Sequence, residues 1–430
     1  MNLPITSILR WALIVIVLIV AMIGFMYLTR GTAVKRVRGV GADAEPVSPG
    51  EPEFPLSVAM LTGTILTPGN RVEIALNGDG TYRRLWEDLQ SAQRSITIQM
   101  YYGMRGHVAD TLVRVLCERA AGGVQVLTLY DAFGTQKVSD DRLAALRAAG
   151  VTVYPFRPLR LSNLLVIQNR SHVRGIVVDD RIGWTGGFGI DDKWLGDGHT
   201  KGGWRETNVR FEGPAVRQLQ AVFAAAWTEA TGVLLSGRAS LDWYEGGVAT
   251  AGLLFAAPTV GSTAAERFVA LSIAGARKSL YITNAYFAPD RNFVALLISA
   301  ADRGVDVRVL VGGPRTDVRA ARLAAHSRYD RLLVAGIRVY EYQPSTLHAK
   351  TFVVDGCWAA VGTMNFDNRS LALNDESTLM VLDTPFGNQM EAVFHADLER
   401  AEEISLAVFR KRPRLARAAE WGANLIAPLL

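Results

Sequence analysis

The chain has 430 residues and a mass of 46.8 kDa, which is enough for two or three domains of ordinary size. Its hydrophobic fraction of 49% and charged fraction of 20% exclude an intrinsically disordered chain. The net charge of +5 is compatible with a nucleic-acid partner and with a membrane partner, and it does not distinguish between them. Two cysteines and six scattered histidines form no cluster with metal-ligand spacing, so a zinc or iron–sulfur site is not expected.

The first predicted element is an apolar segment near the amino terminus. Residues Trp11 to Leu28 carry no charge over eighteen positions, close to the roughly 20 residues that cross a bilayer core. A secretory signal peptide is the alternative, but its apolar region is usually about 7–15 residues long and precedes a small-residue cleavage site. We therefore predict a retained, single-pass transmembrane anchor over residues 8–28. Because Arg10 precedes it and four basic residues follow within 30–38, the positive-inside tendency predicts a cytoplasmic body.

Segments of different composition flank the predicted body. Residues 39–57 contain four prolines and predict a semi-rigid linker, so that the folded part begins near Val58. Residues 409–430 combine a basic cluster with apolar residues at spacings of three or four, which predicts an amphipathic helix. That helix either packs on its own domain or lies in the membrane interface, and its basic residues slightly favour the membrane.

The body contains an internal repeat. The segment from Ser91 to Tyr102 precedes two further β-rich segments, and the segment from Ala274 to Phe287 precedes two similar segments in the same order. In both halves β-rich segments alternate with helix-like ones, so each half is predicted to be an α/β unit with a largely parallel sheet. We place the first domain at residues 58–240 and the second at 241–408.

Each half carries one histidine-centred motif after its last repeated segment. The first motif runs from His172 to Asp179 and the second from His348 to Asp355, so that histidine and aspartate are seven positions apart in both. A glycine-containing segment begins seven positions after each aspartate. One such motif arises easily by chance, whereas two copies with identical spacing in a duplicated chain indicate a shared function.

The side chains of these motifs suit chemistry at a phosphodiester. Because side chains alternate along a strand, His172 and Arg174 point the same way, and so do His348 and Lys350. Each strand thus presents an imidazole beside a cation, and a positioned cation stabilises the negative charge of a phosphodiester during displacement. One histidine can attack phosphorus while the other protonates the leaving alkoxide.

The two motif aspartates have a different predicted role. Asp355 is out of phase with His348 and is followed by glycine, which favours a hairpin turn. Asp179, which precedes Asp180, is likewise out of phase with His172, so we interpret both motif aspartates as structural. A different carboxylate is then needed to orient each imidazole.

These motifs resemble those of the phospholipase D superfamily, and within it the bacterial cardiolipin synthase branch. The segment from His348 to Asn365 fits the superfamily pattern H-x-K-x4-D-x6-G-S/G/T-x-N completely, and the resemblance extends over about residues 70–408. It implies two tandem phospholipase D-like α/β/α sandwich domains that form a pseudo-dimer with one active site at their interface, preceded by the N-terminal transmembrane helix. It implies no metal and no other cofactor.

The resemblance also implies roles for individual residues. His172 corresponds to the usual nucleophile, which forms a phosphohistidine, and His348 to the general acid and base. An acidic residue at a similar distance downstream binds each catalytic histidine of the family, which indicates Glu206 and Glu376, although both could be solvated loop carboxylates. Arg174 and Lys350 complete the predicted catalytic set. The predicted phosphate-binding residues are Asn365, Thr363 and Gly187.

The first motif departs from the family pattern at two positions. Arg174 stands where lysine is usual, and its planar guanidinium keeps the charge but has a different shape. Gly189 stands where asparagine is usual and removes a donor that Asn365 retains in the second motif. The first half is therefore either a retuned or a weakened catalytic half, and the choice of nucleophile stays open.

The leading hypothesis for function is transfer of a phosphatidyl group to a glycerophospholipid hydroxyl, such as that of phosphatidylglycerol, at the inner membrane of a bacterial cell. Water as the acceptor would make the same site a phospholipase D hydrolase. Two other classes are a phosphodiesterase acting on nucleic acid and a non-catalytic membrane scaffold. The charge distribution disfavours nucleic acid, because residues 39–409 carry a net charge of −4 and the basic excess lies at both ends.

Overall fold

The computed structural model describes residues 5–28, 46–101, 103, 105–135, 138–160, 167–235, 246–259 and 261–427. Several predicted features lie outside these described residues: the basic flank at 30–38, positions 39–45 of the linker, the domain boundary between 240 and 241, and positions 428–430 of the tail.

Helices and strands alternate along the described chain. The α-helices are α1 (Ile5–Leu28), α2 (Phe54–Thr62), α3 (Asn77–Gln90), α4 (Gly106–Ala121), α5 (Asp140–Ala148), α6 (Ala215–Thr231), α7 (Ala264–Gly275), α8 (Arg291–Asp302), α9 (Arg319–Val334), α10 (Thr384–Leu398), α11 (Leu406–Arg410) and α12 (Arg414–Ile426). The strands are β1 (Thr67–Leu76), β2 (Ser95–Met100), β3 (Gln125–Asp131), β4 (Thr152–Phe156), β5 (Gly175–Val178), β6 (Ile182–Gly186), β7 (Trp204–Arg205), β8 (Thr207–Glu212), β9 (Ala249–Ala256), β10 (Ser279–Asn284), β11 (Asp306–Gly312), β12 (Arg338–Tyr342), β13 (Thr346–Leu347), β14 (Lys350–Val354), β15 (Trp358–Gly362), β16 (Glu376–Leu382) and β17 (Ala401–Glu403). A 3-10 turn covers Asp192–Trp194, and a π-helical turn covers Arg369–Leu373.

The two halves of the body repeat the same strand order. Among the described residues, fifteen strands form one continuous sheet. From the centre outward the first half runs β1-β8-β6-β5-β2-β3-β4, and the second runs β9-β16-β15-β14-β10-β11-β12 with β17 at its edge. The halves meet where β1 pairs antiparallel with β9. The repeat in the sequence is therefore a structural duplication.

The sheet is mixed, and the prediction of a largely parallel sheet is wrong. The strands β2, β3 and β4 are parallel, as are β10, β11 and β12, because helices connect them by crossovers. The strands nearer the centre pair antiparallel, because the chain returns through hairpins such as β5–β6 and β14–β15. The two histidine motifs lead into these hairpins.

Helices cover both faces of the sheet. On one face α3, α4 and α5 pack on the first half, and α2, α7, α8 and α9 pack on the second. On the other face α6 and α10 cover a core to which both halves contribute, including Phe211, Leu253 and Val361. This shared core holds the two halves together, because separating them would expose its apolar surface to water.

The described part of the predicted linker packs on the body. Phe54 begins α2 with its side chain fully buried, and its ring lies edge-on to Trp358 with centroids 5.0 Å apart. Val47 packs against the same core. Folded structure therefore begins before Val58, because apolar side chains between the prolines gain free energy by burial against the second half.

The C-terminal end of α1 lies beside the body. The Tyr27 hydroxyl donates to the carbonyl oxygen of Leu425, and the Gln168 amide donates to the carbonyl oxygen of Met26 at 3.2 Å. Side chains of α1 are described for Trp11 and for residues 13–28. Over the part of the chain that the structure describes, no helix combines the length and the apolar character needed to cross a membrane.

The helix α12 packs along α9 and leaves an apolar side exposed. Its buried Glu420 lies 2.6 Å from Arg412 and 3.5 Å from His326 on α9. Leu415 and Trp421 on α12 are 85% and 66% exposed. The tail therefore packs on its own domain, which is one of the two predicted alternatives. The other alternative, contact with the membrane interface, concerns the apolar side that remains exposed.

Both motif aspartates lie in turns at the far end of the motif strands. The Asp355 carboxylate accepts hydrogen bonds from the backbone N–H groups of residues 277–279 at 2.7–2.9 Å. The Asp179 carboxylate does the same for residues 93–95 at 2.7–2.8 Å. Their φ angles of 52° and 53° are left-handed, which aspartate tolerates better than most residues. Each aspartate thus fixes the start of a neighbouring parallel strand.

Replacing Asp355 by glycine is expected to lower the free energy of unfolding by about 2–3 kcal/mol, because three backbone donors lose a charged acceptor while glycine keeps the positive φ. Urea unfolding followed by tryptophan fluorescence measures the change. The matched control Asp180→Gly makes the same exchange at φ 58° and leaves the hydrogen bonds of Asp179 in place. An equal effect of the two substitutions would contradict the assigned role of Asp355.

Candidate active site

Each motif histidine lies on a segment that pairs with the opposite half. Ser171 forms a parallel bridge with Asp375, and the His172 N–H donates to the Asp375 carbonyl at 2.8 Å. In the second half β13 pairs parallel with β7, and the His348 N–H donates to the Arg205 carbonyl at 2.8 Å. These two short pairings bring each histidine next to the glutamate-bearing segment of the other half.

The glutamates are exchanged between the halves. Glu376 Oε2 lies 2.9 Å from Nδ1 of His172, and Glu206 Oε2 lies 2.6 Å from Nδ1 of His348. All four residues are buried. A carboxylate at Nδ1 keeps the ring proton on that nitrogen and leaves Nε2 free to attack or to accept a proton. The sequence indicated both glutamates, but it did not indicate which histidine each would bind.

The motif cations lie close to the imidazoles. Arg174 Nη2 is 3.4 Å from His172 Nε2. Lys350 Nζ is 2.9 Å from His348 Nδ1 and also donates to the carbonyl oxygen of His348. Since Nδ1 of His348 contacts both Glu206 and Lys350, it donates to the carboxylate when protonated and accepts from the ammonium when it is not.

Burial shifts the ionisation of these groups. Desolvation lowers the pKa of His172, although Glu376 opposes the shift. Desolvation, reinforced by the positive charge of Lys350, lowers the pKa of His348 well below its usual value. Burial lowers the pKa of Lys350 to about 7 and raises the pKa of Glu206. Both histidines are therefore neutral near pH 7, which a nitrogen nucleophile requires.

One cavity of about 660 Å³ contains both imidazoles in its lining. Arg174 and Asn365 also line it, whereas Lys350 and both glutamates lie behind the lining. The rest of the cavity lining has an apolar part and a polar part. Apolar side chains come from Phe133, Leu159, Ile167, Val318 and Ala321, and polar ones from Asp367, Ser370 and Asn374. This combination suits a ligand with a polar head and an apolar body.

The two halves hold their glutamates differently. The Thr363 hydroxyl donates to Glu376 at 2.5 Å. At the corresponding position Gly187 leaves room for Glu206, since a Cβ there would lie 2.3 Å from its carboxylate. Glu206 instead accepts from the Thr207 N–H at 3.0 Å. Thr363 and Gly187 were expected to bind phosphate, but the structure places both against the carboxylates and outside the cavity lining.

A tryptophan explains the glycine that departs from the family pattern. A Cβ on Gly189 would lie 2.6 Å from the Trp194 ring. That ring packs on Trp204 with centroids 4.5 Å apart and lies edge-on to His348 at 5.7 Å. The first half thus has an indole where the second half has the amide of Asn365. The site is complete in both halves but asymmetric.

Sequence reasoning missed two of the aromatic residues that pack against the imidazoles. Tyr101 lies edge-on to His172 at 4.9 Å, and the Trp204 ring lies 4.7 Å from His348. The only signal for them was position, because Tyr101 is the last residue but one of the first repeated segment and Trp204 lies two residues before Glu206. Aromatic rings at such positions are more often part of the core.

A duplicated α/β/α fold with two crossed His–Glu pairs at one cavity defines the class of two-motif phospholipase D-fold proteins. Comparison with known proteins narrows this class. The family described as "Cardiolipin synthase, PLD-like domain" matches residues 85–227 and 270–398. The chain belongs to this family, which confirms the resemblance that its motifs indicated.

Curated relatives carry the same family name. A cardiolipin synthase of Geobacillus thermodenitrificans is 34% identical over 368 residues, which cover 84% of this chain and 72% of the relative. A cardiolipin synthase A of Pseudomonas putida is 33% identical over 362 residues, which cover 84% of this chain and 75% of the relative.

Solved structures share the fold at low identity. Phosphatidylserine synthase from Haemophilus influenzae aligns with a TM-score of 0.63 and 14% identity, covering 87% of this chain and 99% of that protein. Polyphosphate kinase from Porphyromonas gingivalis aligns with a TM-score of 0.53 and 13% identity, covering 82% of this chain and 52% of that protein. At these identities the likeness concerns the fold alone.

Proposed function

We propose that this protein is a phosphatidyltransferase of the cardiolipin synthase type, which transfers a phosphatidyl group to a hydroxyl of a glycerophospholipid. The observation that carries the proposal is the pair of buried, crossed His–Glu contacts at one cavity. Curated relatives named cardiolipin synthase support the choice of substrate class.

In the proposed first step, His172 Nε2 attacks the phosphorus of the donor lipid. A nitrogen–phosphorus bond forms, the bond from phosphorus to the headgroup oxygen breaks, and His348 gives its proton to that oxygen. The bound phosphodiester carries a negative charge that raises the proton affinity of His348, so this proton is taken up with the substrate. Arg174, which lines the cavity beside His172, stabilises the charge on the phosphoryl oxygens.

In the proposed second step, the acceptor hydroxyl gives its proton to His348 Nε2. The acceptor oxygen then bonds to phosphorus, the nitrogen–phosphorus bond breaks, and His172 returns to its neutral form. With phosphatidylglycerol as donor and acceptor, the products are glycerol from the first step and cardiolipin from the second. Water in place of the acceptor would give phosphatidic acid.

We further propose that the protein acts at the bacterial inner membrane, with residues 8–28 as a single-pass anchor and the body in the cytoplasm. The uncharged run from Trp11 to Leu28 supports the anchor. A position of this anchor beside the cavity is supported by Gln168, a cavity residue whose side-chain amide donates to the carbonyl oxygen of Met26. The exposed Leu415 and Trp421 of α12, beside the basic residues of the tail, suit the interface of an anionic membrane.

The test is incubation of the purified full-length protein with mixed micelles of phosphatidylglycerol, followed by mass spectrometry of the lipids. Cardiolipin and free glycerol are expected from the unaltered protein and not from His348→Ala, whereas the surface control His107→Ala is expected to retain activity. Phosphatidic acid without cardiolipin would establish the hydrolase instead. Full activity of His348→Ala would overturn the assigned site.

A further inference from the structure

The cavity contains buried polar atoms without a partner. Among the described residues, Asn365 Oδ1, Ser370 Oγ and Asn374 Oδ1 have no hydrogen-bond partner. The three residues line the cavity and are 5%, 1% and 7% exposed, respectively. A buried polar atom left unpaired costs about 1–3 kcal/mol. Three such atoms in one segment of the cavity wall point to a ligand that supplies their partners.

These atoms come from one short segment of the second half. Asn365 ends the second motif, Ser370 lies in the π-helical turn Arg369–Leu373, and Asn374 follows that turn. The Ser370 N–H donates to the Asp367 carboxylate at 2.9 Å, which fixes the turn. A single π turn is rare and occurs most often at functional sites.

The first half has an aromatic residue at the position that corresponds to Ser370. Trp194 lies twenty-two positions after His172, as Ser370 lies twenty-two positions after His348. The indole of Trp194 is buried against Trp204. The Ser370 hydroxyl thus has no counterpart at the corresponding position of the first half, where Trp194 lies outside the cavity lining.

The chemistry of the wall selects the kind of ligand. Two amide oxygens accept hydrogen bonds, a serine hydroxyl accepts or donates, and the carboxylate of Asp367 in the same lining accepts. These unpaired acceptors repel phosphate oxygens and favour groups that donate, whereas the N–H groups of the Asn365 amide keep the phosphate-binding role that the motif predicts. Arg170 and Arg174 in the same lining disfavour an ammonium headgroup. Neutral hydroxyl groups remain.

We propose that Asn365, Ser370 and Asn374 form a subsite for the neighbouring hydroxyls of a polyol, which in the proposed reaction is the glycerol headgroup of the acceptor lipid. This inference rests on the proposed transferase function. The subsite holds the headgroup so that one hydroxyl faces the phosphorylated histidine. Asn374 also donates to Glu376 at 3.2 Å, which links the subsite to the His172 pair.

Ser370 is the residue to test, because its hydroxyl contacts neither His–Glu pair. The purified full-length protein is given phosphatidylglycerol as donor and an equimolar mixture of deuterated glycerol and deuterated 1-propanol as acceptors. Mass spectrometry gives the ratio of the two labelled transfer products, which does not depend on the amount of active protein. Thr378→Val is the matched control, since the Thr378 hydroxyl is also buried without a partner among the described residues but lies outside the cavity lining.

The unaltered protein and Thr378→Val are expected to prefer glycerol, and Ser370→Ala is expected to lower that preference about tenfold, the effect of one hydrogen bond. An unchanged ratio in Ser370→Ala would overturn the subsite while leaving the transferase intact. Incorporation of neither alcohol, with release of phosphatidic acid, would overturn the proposed function itself. If Ser370→Ala does not fold, equal use of 1,2-propanediol and 1-propanol by the unaltered protein would overturn the subsite.

Discussion

Glu206→Gln is expected to trap the covalent intermediate, whereas Glu376→Gln is expected to prevent its formation. The two glutamates are both buried and both contact Nδ1 of a histidine, at 2.6 and 2.9 Å. They differ in the histidine that they orient. Because Glu376 orients His172, its loss impairs attack on phosphorus. Because Glu206 orients His348, its loss impairs proton transfer to and from the alcohol oxygens.

A donor with a p-nitrophenyl headgroup separates the two effects, because p-nitrophenolate leaves without a proton at neutral pH. In Glu206→Gln the first step then proceeds, and p-nitrophenol is released in a burst equal to the enzyme concentration. The following turnover is expected to fall by about 10³–10⁴-fold, as for loss of a carboxylate that sets the histidine tautomer. In Glu376→Gln the burst itself is expected to be absent.

Stopped-flow absorbance measures the burst, and phosphorylated histidine is identified by mass spectrometry at alkaline pH. Glu229→Gln is a matched control, because Glu229 is an exposed partner of Arg157 and touches neither histidine. The reverse result, a burst in Glu376→Gln only, would assign the nucleophile to His348. Equal bursts in both variants would contradict the division of roles between the two pairs.

The duplication and the two motifs could be predicted from the sequence, because they depend on spacings that survive in the chain itself. His172 and His348 keep the same neighbours at the same distances, and the two halves have the same strand order. The turn role of Asp355 follows from the glycine after it. Such features follow from the spacing of residues along the chain, so the sequence alone predicts them.

The exchange of glutamates could not be predicted in the same way. It depends on β7 and β13, two-residue strands that come from different halves of the chain and pair with each other. The burial of Phe54 and the position of the Trp194 ring likewise depend on residues far away in the chain, Trp358 and His348 respectively. The antiparallel centre of the sheet follows from hairpins whose direction hydrophobic periodicity does not encode.

Activity is expected to fall at alkaline pH because of Lys350. Burial lowers the pKa of its ammonium to about 7, so the cation is present below that pH and is lost as the pH rises through it. At two pH units above the pKa about 1% of the ammonium remains, and kcat/KM for the p-nitrophenyl donor, whose leaving group needs no proton from His348, is expected to be about 100-fold below its maximum. A bound phosphodiester adds negative charge and raises the pKa of Lys350, so the decline in kcat is expected at higher pH than the decline in kcat/KM.

Lys350→Arg tests this assignment, because a guanidinium stays charged throughout the range. The fold already holds an arginine at the corresponding place in the first half, since Arg174 follows His172 as Lys350 follows His348. The variant is expected to have a lower maximum but to keep its kcat/KM for the p-nitrophenyl donor between pH 7 and 9, measured as release of p-nitrophenol in mixed micelles. Lys201→Arg makes the same exchange at an exposed position and is expected to leave the profile unchanged. An alkaline decline that persists in Lys350→Arg would mean that another group controls it, since removal of the titrating ammonium removes this cause of the decline.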